Sequence, residues 1–295
     1  MTTKKTLVLI DSLYEQYGLD GTQQEGILFL PMLRGRLAGR APRAVRKLHL
    51  SLPLPGQSLW MGGWTGMADR FDTVVLADAG NTPNVVRYLK RRHPGKRVIV
   101  WYRNPVAASL PPDALDRTAC ELWSFDPDDC AAYGMGYNPQ FYIPRTPAPV
   151  QPIRQDVLFV GQDKGRGQLL ARMEQALQRA GCRTRFWIVG VNSPRLSYEE
   201  IVREIARSRV IVDCPCEGQA GLTLRPLEAL FYRKKLLTTS PAIRTQDFYH
   251  PGNVFVWGED DPETLGAFLA GPYAAQADQY REAHGLRAWV ERFYT

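Results

Sequence analysis

The chain has 295 residues, 44% hydrophobic, 11% aromatic and 23% charged, which supports a substantial core and excludes disorder as a description of the whole. At this length one or two domains are expected. The formal net charge is +7, with 29 arginines against 8 lysines. The longest apolar runs, Thr6–Ile10 and Ile27–Leu30, fall far short of the roughly 18–20 residues that span a bilayer, and no signal-peptide pattern is visible. A soluble, cytoplasmic chain is therefore expected. Five cysteines are an odd count, so no disulfide framework is expected. Cys214-Pro-Cys216 is one residue tighter than the usual metal clip, and none of the four histidines lies near a cysteine pair; no metal is expected either.

In chain order, Thr6–Ile10, Thr73–Ala77 and Arg97–Trp101 are short continuous apolar runs, as expected of strands covered on both faces. Asn84–Arg92 reads as a helix, with Val85, Val86 and Leu89 apolar and Lys90, Arg91 and Arg92 at the end that favours cations. Glu121–Phe125 reads as another strand. The stretch from Gly18 to Gly66 is rich in glycine, proline and arginine, and no element is assigned to it from sequence. Pro144, Pro147, Pro149 and Pro152 then fall within nine residues, which suits a linker and divides the chain into 1–150 and 151–295.

The second half alternates more cleanly. Asp156–Val160 predicts a strand, and Leu169, Leu170, Met173, Ala176 and Leu177 predict a helix ended by Gly181. Arg185–Gly190 predicts the next strand. Ser197 and Glu200 have capping-box spacing ahead of Ile201, Val202 and Ile205. Val210–Asp213 and Lys235–Thr239 predict strands around a helix at Leu224–Arg233, followed by a strand at Asn253–Trp257 and a helix at Pro262–Leu269. The tail from Ala274 to Thr295 reads as helical, anchored by Tyr280, Leu286, Trp289 and Phe293. Strand–helix alternation of this kind predicts parallel sheets, so the expected fold class is α/β with two Rossmann-like domains facing a central cleft.

Ligands of open α/β sheets bind beyond the carboxyl ends of the strands, so those ends supply the candidate residues. After Val160 comes Gly161-Gln-Asp-Lys164-Gly-Arg166-Gly167, where glycines admit backbone N–H groups to a ligand and Lys164 and Arg166 add charge at a helix start. Its spacing is neither GxGxxG nor GxxxxGK[ST], which disfavours dinucleotides and ordinary ATP hydrolysis. Past Asp213, a loop through Gly221 enters the second cluster. There Thr223 is a plausible N-cap, and Arg225 and Glu228 share one helix face, either as a diphosphate and ribose site or as an i,i+3 salt bridge. In the first half Asp11 and Asp78 follow strands and could take a proton from an acceptor hydroxyl, or serve as caps. Arg103 and Asn104 could reach an acceptor. Trp60 and Trp64 could stack on a sugar or pack in the core.

The strand–Gly-x-x-Lys-Gly-Arg turn, followed by a glycine loop running into Arg225-x-x-Glu228-Ala-Leu, resembles the donor-binding domain of GT-B-type glycosyltransferases. The closest likeness is to bacterial enzymes of lipopolysaccharide and capsule assembly. The resemblance implies a GT-B-like architecture with a C-terminal helix crossing back, an acceptor domain at 1–150 and a donor domain at 151–295. It implies diphosphate contacts from Lys164, Arg166 and Arg225 and ribose contacts from Glu228; Gly161, Gly221 and Thr223 complete the donor-binding candidates. Arg225, Asp11 and Asp78 then become the catalytic candidates, and Trp64, Arg103 and Asn104 the acceptor residues, with no cofactor. Many retaining members carry two glutamates eight positions apart; here Glu217 and Glu228 are eleven apart, which departs from that pattern. The expected partners are a nucleotide-sugar donor and a glycan or lipid-linked acceptor. The positive charge suits peripheral contact with an anionic inner-membrane face. Nucleic acid is not expected, since aromatic–basic interleaving and zinc-finger spacing are missing. A non-catalytic scaffold of glycan assembly is the other reading. A Rossmann oxidoreductase is opposed by the missing GxGxxG.

Overall fold

The computed structural model describes residues 4–11, 23–24, 26–35, 37–52, 54–144, 151–190, 194–216 and 218–295. The chain divides into two units, Met1–Asn138 and Pro139–Thr295. Within the Pro144-to-Pro152 stretch, residues 145–150 lie outside the described residues, as does Glu217.

The first unit is built on a sheet of β1 (Thr6–Ile10), β2 (Gln23–Gln24), β3 (Ile27–Pro31), β4 (Thr73–Ala77), β5 (Arg97–Tyr102), β6 (Glu121–Ser124) and β7 (Gly136–Tyr137). Its order is β2-β3-β1-β4-β5-β6-β7, parallel except for the short edge strand β2. Strands β1 and β4 are buried at every residue, which explains their unbroken apolar runs. Helix α1 (Arg40–Ser51) and several 3-10 turns connect β3 to β4. Helix α2 (Thr82–Arg92) connects β4 to β5, and α3 (Pro127–Tyr133) precedes β7. Strand β3 and helix α1 thus occupy the stretch to which the sequence assigned no element.

The second unit has a five-stranded, wholly parallel sheet, ordered β12-β11-β10-β8-β9. Its strands are β8 (Gln155–Gln162), β9 (Thr184–Val189), β10 (Ser208–Asp213), β11 (Lys235–Thr238) and β12 (Val254–Val256). Helices α4 (Gly167–Arg179), α5 (Tyr198–Ala206) and α6 (Leu224–Tyr232) form the crossovers, and α7 (Leu265–Ala270) follows β12. The Ser197–Glu200 capping box forms at the start of α5. Leu170, Met173 and Leu177 of α4 pack with Val157, Phe159, Val210 and Val212 in one core. The two units are Rossmann-like α/β sheets.

The tail corrects one expectation. In place of a continuous helix it forms 3-10 turns at Ala275–Tyr280 and Glu282–His284, then the short α8 (Leu286–Glu291). Gly285 is extended and interrupts it. Three of the four expected anchors, Leu286, Trp289 and Phe293, are buried, and Trp289 stacks on Phe141 at a centroid distance of 4.4 Å, so the tail packs within the second unit. Among the described residues no helix is long and apolar enough to cross a membrane.

Candidate functional site

In the second sheet the chain runs from β8 outward to β9, then returns to place β10 on the other side of β8. Ligand-binding crevices of doubly wound sheets open at such a reversal, beyond the carboxyl ends of the two strands. The two glycine-containing segments singled out in sequence follow β8 and β10 respectively.

The turn after β8 has a specific shape. The Arg166 N–H bonds the Asp163 carbonyl at 3.0 Å, and the two residues between, Lys164 (φ 48) and Gly165 (φ 83), both have positive φ, as in a type I′ turn. A lysine in this region is uncommon. Lys164 is exposed, at the tip. Arg166 folds back, donating from Nε to the Asp163 carbonyl (3.0 Å) and from Nη2 to the Gln162 carbonyl (2.7 Å). Gly161 continues β8 in the half-buried last turn of the strand. Gly167 opens α4, and a Cβ there would lie 3.1 Å from both carboxylate oxygens of Asp163. Oδ1 of Asp163 is buried without a hydrogen-bond partner. A carboxylate thus already stands at the positive end of α4, a feature that sequence inspection of the cations passed over.

The loop after β10 brings Asp213, Thr223, Arg225 and Glu228 together. Thr223 caps α6, its Oγ1 accepting from Arg225 N (3.2 Å) while donating to Asp213 Oδ1 (2.7 Å). Thr238, at the end of β11, donates to the other Asp213 oxygen at 3.0 Å. Burial raises the Asp213 pKa; the threonine hydrogen bonds and the charges of Arg225 and Arg166 oppose that shift. Asp213 escaped sequence reasoning because its partners lie 10 and 25 residues away. Gly221 is buried, and its carbonyl accepts from Gln219 Nε2 at 2.9 Å.

Arg225 pairs with Glu228 through Nη1 and donates from Nη2 to the Val160 carbonyl of β8 at 2.8 Å. One side chain therefore bridges the two strand-end loops. Glu228 is 1% exposed. Its Oε2 faces Arg225 and its Oε1 accepts from the Tyr198 hydroxyl at 2.9 Å. Glu228 is thus a buried carboxylate directed at protein partners. The i,i+3 ion pair that the spacing offered does form, with its carboxylate buried instead of on a surface. The Tyr142 hydroxyl lies 2.6 Å from that of Tyr198 and 3.0 Å from that of Tyr232. Burial, then the neighbouring Glu228 charge, raises the pKa of both Tyr142 and Tyr198 far above the tyrosine range, so they stay protonated. Tyr198 uses its single proton on Glu228.

The first sheet reverses between β1 and β4. Asp11 and Asp78 are the next residues after these strands, and the register that pairs Leu9 with Leu76 brings them level. Asp78 Oδ2 accepts from Ser109 Oγ (2.5 Å) and Asn104 Nδ2 (3.4 Å). Burial raises the Asp78 pKa, opposed by these bonds and the Arg103 charge. Ser109 lies 31 residues from Asp78 and Asn104 26, so no local pattern links them to that carboxylate. Trp64 is a correction. It is 0% exposed, its Nε1 donates to the Met32 carbonyl at 3.0 Å, and it meets Tyr88 edge to face, so it is a core residue and presents no surface to an acceptor. Trp60 is partly buried and donates to His49 Nδ1 at 2.7 Å.

The sequence matches no family model and no curated protein. Among solved structures it is similar to an alpha-glucosyltransferase in complex with UDP and a 13-mer DNA containing an HMU base (11% identity, TM-score 0.49, 98% of this chain and 95% of that one). It is similar also to MurG of Acinetobacter baumannii (14%, 0.43, 98% and 97%) and to sucrose-phosphate synthase from Thermosynechococcus elongatus (11%, 0.49, 99% and 98%). At these identities and TM-scores the likenesses assign no residue and no activity to this chain. The functional reading rests on its own side chains.

Proposed function

We propose that this protein is a glycosyltransferase, moving a sugar from a nucleotide-sugar donor to a glycan or glycolipid acceptor in bacterial surface polysaccharide assembly. The observation that carries the reading is the β8/β10 reversal, where Arg166 and Arg225 both act on the charge of Asp213, Arg225 links the start of α6 to the end of β8, and Lys164 stands exposed at the tip of the turn after β8. In the reaction the bond from the sugar's anomeric carbon to the diphosphate breaks, and a bond to an acceptor oxygen forms. The departing diphosphate gains charge, which Lys164, Arg166 and Arg225 offset more strongly in the transition state than in the ground state. Glu228 acts through Arg225, fixing the guanidinium against the Val160 carbonyl. The acceptor hydroxyl's proton passes to Asp78 or Asp11 in the first unit, with Arg103 and Asn104 beside Asp78. Residues 1–150 are the acceptor part and 151–295 the donor part in this proposal.

A thermal-shift series with UDP, GDP, CMP, ADP, dTDP and NAD, each with and without magnesium, tests it. A specific rise with one nucleoside diphosphate or monophosphate, independent of magnesium, is expected. A response to NAD alone would replace transfer by redox chemistry. No response to any of them would favour the non-catalytic scaffold.

A further inference from the structure

Helix α1 presents its apolar face to solvent. Of its twelve residues only Leu50 is buried. Ala41, Ala44, Val45, Leu48 and, just past the helix, Leu52 recur at the 3-and-4 spacing of one helical stripe, and all five are exposed. Leu48 is 62% exposed and Leu59, in the following turn, 67%. Among the described residues seven large hydrophobic side chains are classed as exposed, and five of them (Val45, Leu48, Leu52, Leu54 and Leu59) fall in this one segment. That concentration is what separates a functional patch from scattered surface leucines.

The turn holding Leu54 and Leu59 is fastened to the end of the helix. Gln57 Nε2 donates to the carbonyls of His49 (2.9 Å) and Leu52 (2.5 Å), and His49 Nε2 lies 2.8 Å from the Pro55 carbonyl. Cations frame this surface. Arg40, Arg43 and Lys47 form the adjoining stripe of α1 and are exposed. From α2, Arg87 reaches the Ser51 carbonyl at 3.1 Å, and Arg91 reaches Gln57 Oε1. Residues 26–68 contain no aspartate or glutamate at all.

We infer that α1 and the turn after it form a docking surface for an anionic lipid bilayer. An apolar stripe flanked by arginine and lysine lets leucines enter the headgroup boundary while the cations meet lipid phosphates. The other occupants suit the surface less well. A nucleic acid would engage the cations and leave the outward leucines and valine unmatched. A second copy across a two-fold axis would set one cationic rim against another. The inference goes beyond glycosyl transfer and does not rest on it, since lipid binding is read without donor or turnover.

The test is flotation of the full chain with vesicles of phosphatidylcholine alone and of phosphatidylcholine with phosphatidylglycerol. Partition to the anionic vesicles is expected, weakened but not abolished by added salt. Leu48→Ser with Leu59→Ser should lower the partition coefficient about tenfold, through lost apolar insertion. Arg40→Gln, Arg43→Gln and Lys47→Gln together should remove the preference for phosphatidylglycerol. Melting temperatures should stay unchanged because these side chains are exposed; if the double variant melts early, Val45→Ser alone gives the same reading. Equal partition to both vesicle types would overturn the inference. So would a double variant that binds like the parent, a duplex DNA that binds this surface in place of the anionic vesicles, or a dimer in solution that Leu48→Ser dissociates.

Discussion

The two strand-end crevices, one per unit, share a topology and differ in charge. At the β8/β10 reversal stand Lys164, Arg166 and Arg225; of the carboxylates there, Asp213 and Glu228 are buried and held by threonine, tyrosine and arginine donors, and Asp163 stands at the start of α4. At the β1/β4 reversal two aspartates lead, and Asp78 receives bonds from Ser109 and Asn104. A parallel sheet fixes where a ligand crevice opens; the few residues after each strand decide which charge waits there. In the proposed reaction that difference becomes a division of labour, an anion held on one sheet and a proton accepted on the other.

The largest expected effect breaks or sharpens the proton-accepting side. Asp78→Asn should lower kcat by about a hundredfold to ten-thousandfold with little change in donor KM, as for loss of a general base. Because burial raises the Asp78 pKa, the acidic limb of the parent's kcat/KM profile should lie above the ordinary aspartate value. The same shift makes the folded protein bind the proton more tightly than the unfolded chain. Its contribution to stability is therefore present at low pH and is lost as pH rises from the unfolded pKa through the raised one. Asp78→Asn should erase that pH dependence in thermal melts. A variant with parental kcat would move the role to Asp11.

On the anion-holding side, Arg225→Ala should cost about 2–4 kcal/mol in donor kcat/KM, the loss expected for a charge-assisted contact to a developing diphosphate charge. Steady-state kinetics across several donors would show it, and unchanged values would remove Arg225 from the chemistry. The smallest effect tests how that arginine is held. Tyr198→Phe takes the hydroxyl from Glu228 Oε1 and should cost about 1–3 kcal/mol of stability, read by denaturant unfolding. If Glu228 acts through Arg225, donor KM rises as well; a purely structural network would leave kinetics unmoved.

Local patterns carried well into the structure. The strand at β8, the Thr223 cap and the Ser197–Glu200 box depend on neighbours within a few residues, so their signals are present in short windows. The Gly18–Gly66 stretch did not read clearly, because glycines and prolines flank the helix on both sides, and that its apolar stripe faces outward, with only Leu50 buried, is decided by the fold. The tail misled for a related reason: its anchors are genuine, but Gly285 and the 3-10 turns set them without a continuous helix.

The alternation of apolar runs with helical periods was sufficient to specify α/β sheets, since each element's period follows from its own geometry. The cations of the β8 turn and of α6 were equally visible as residue types. Their convergence was not. Arg225 meets the Val160 carbonyl across 65 positions, Tyr142 meets Tyr232 across 90, and Trp64 finds its acceptor at Met32 across 32. Contacts at that separation depend on strand order and crossover packing, which local propensity does not encode. Burial therefore placed Trp64 in the core, and it turned Glu228 from an open carboxylate into the anchor of an arginine.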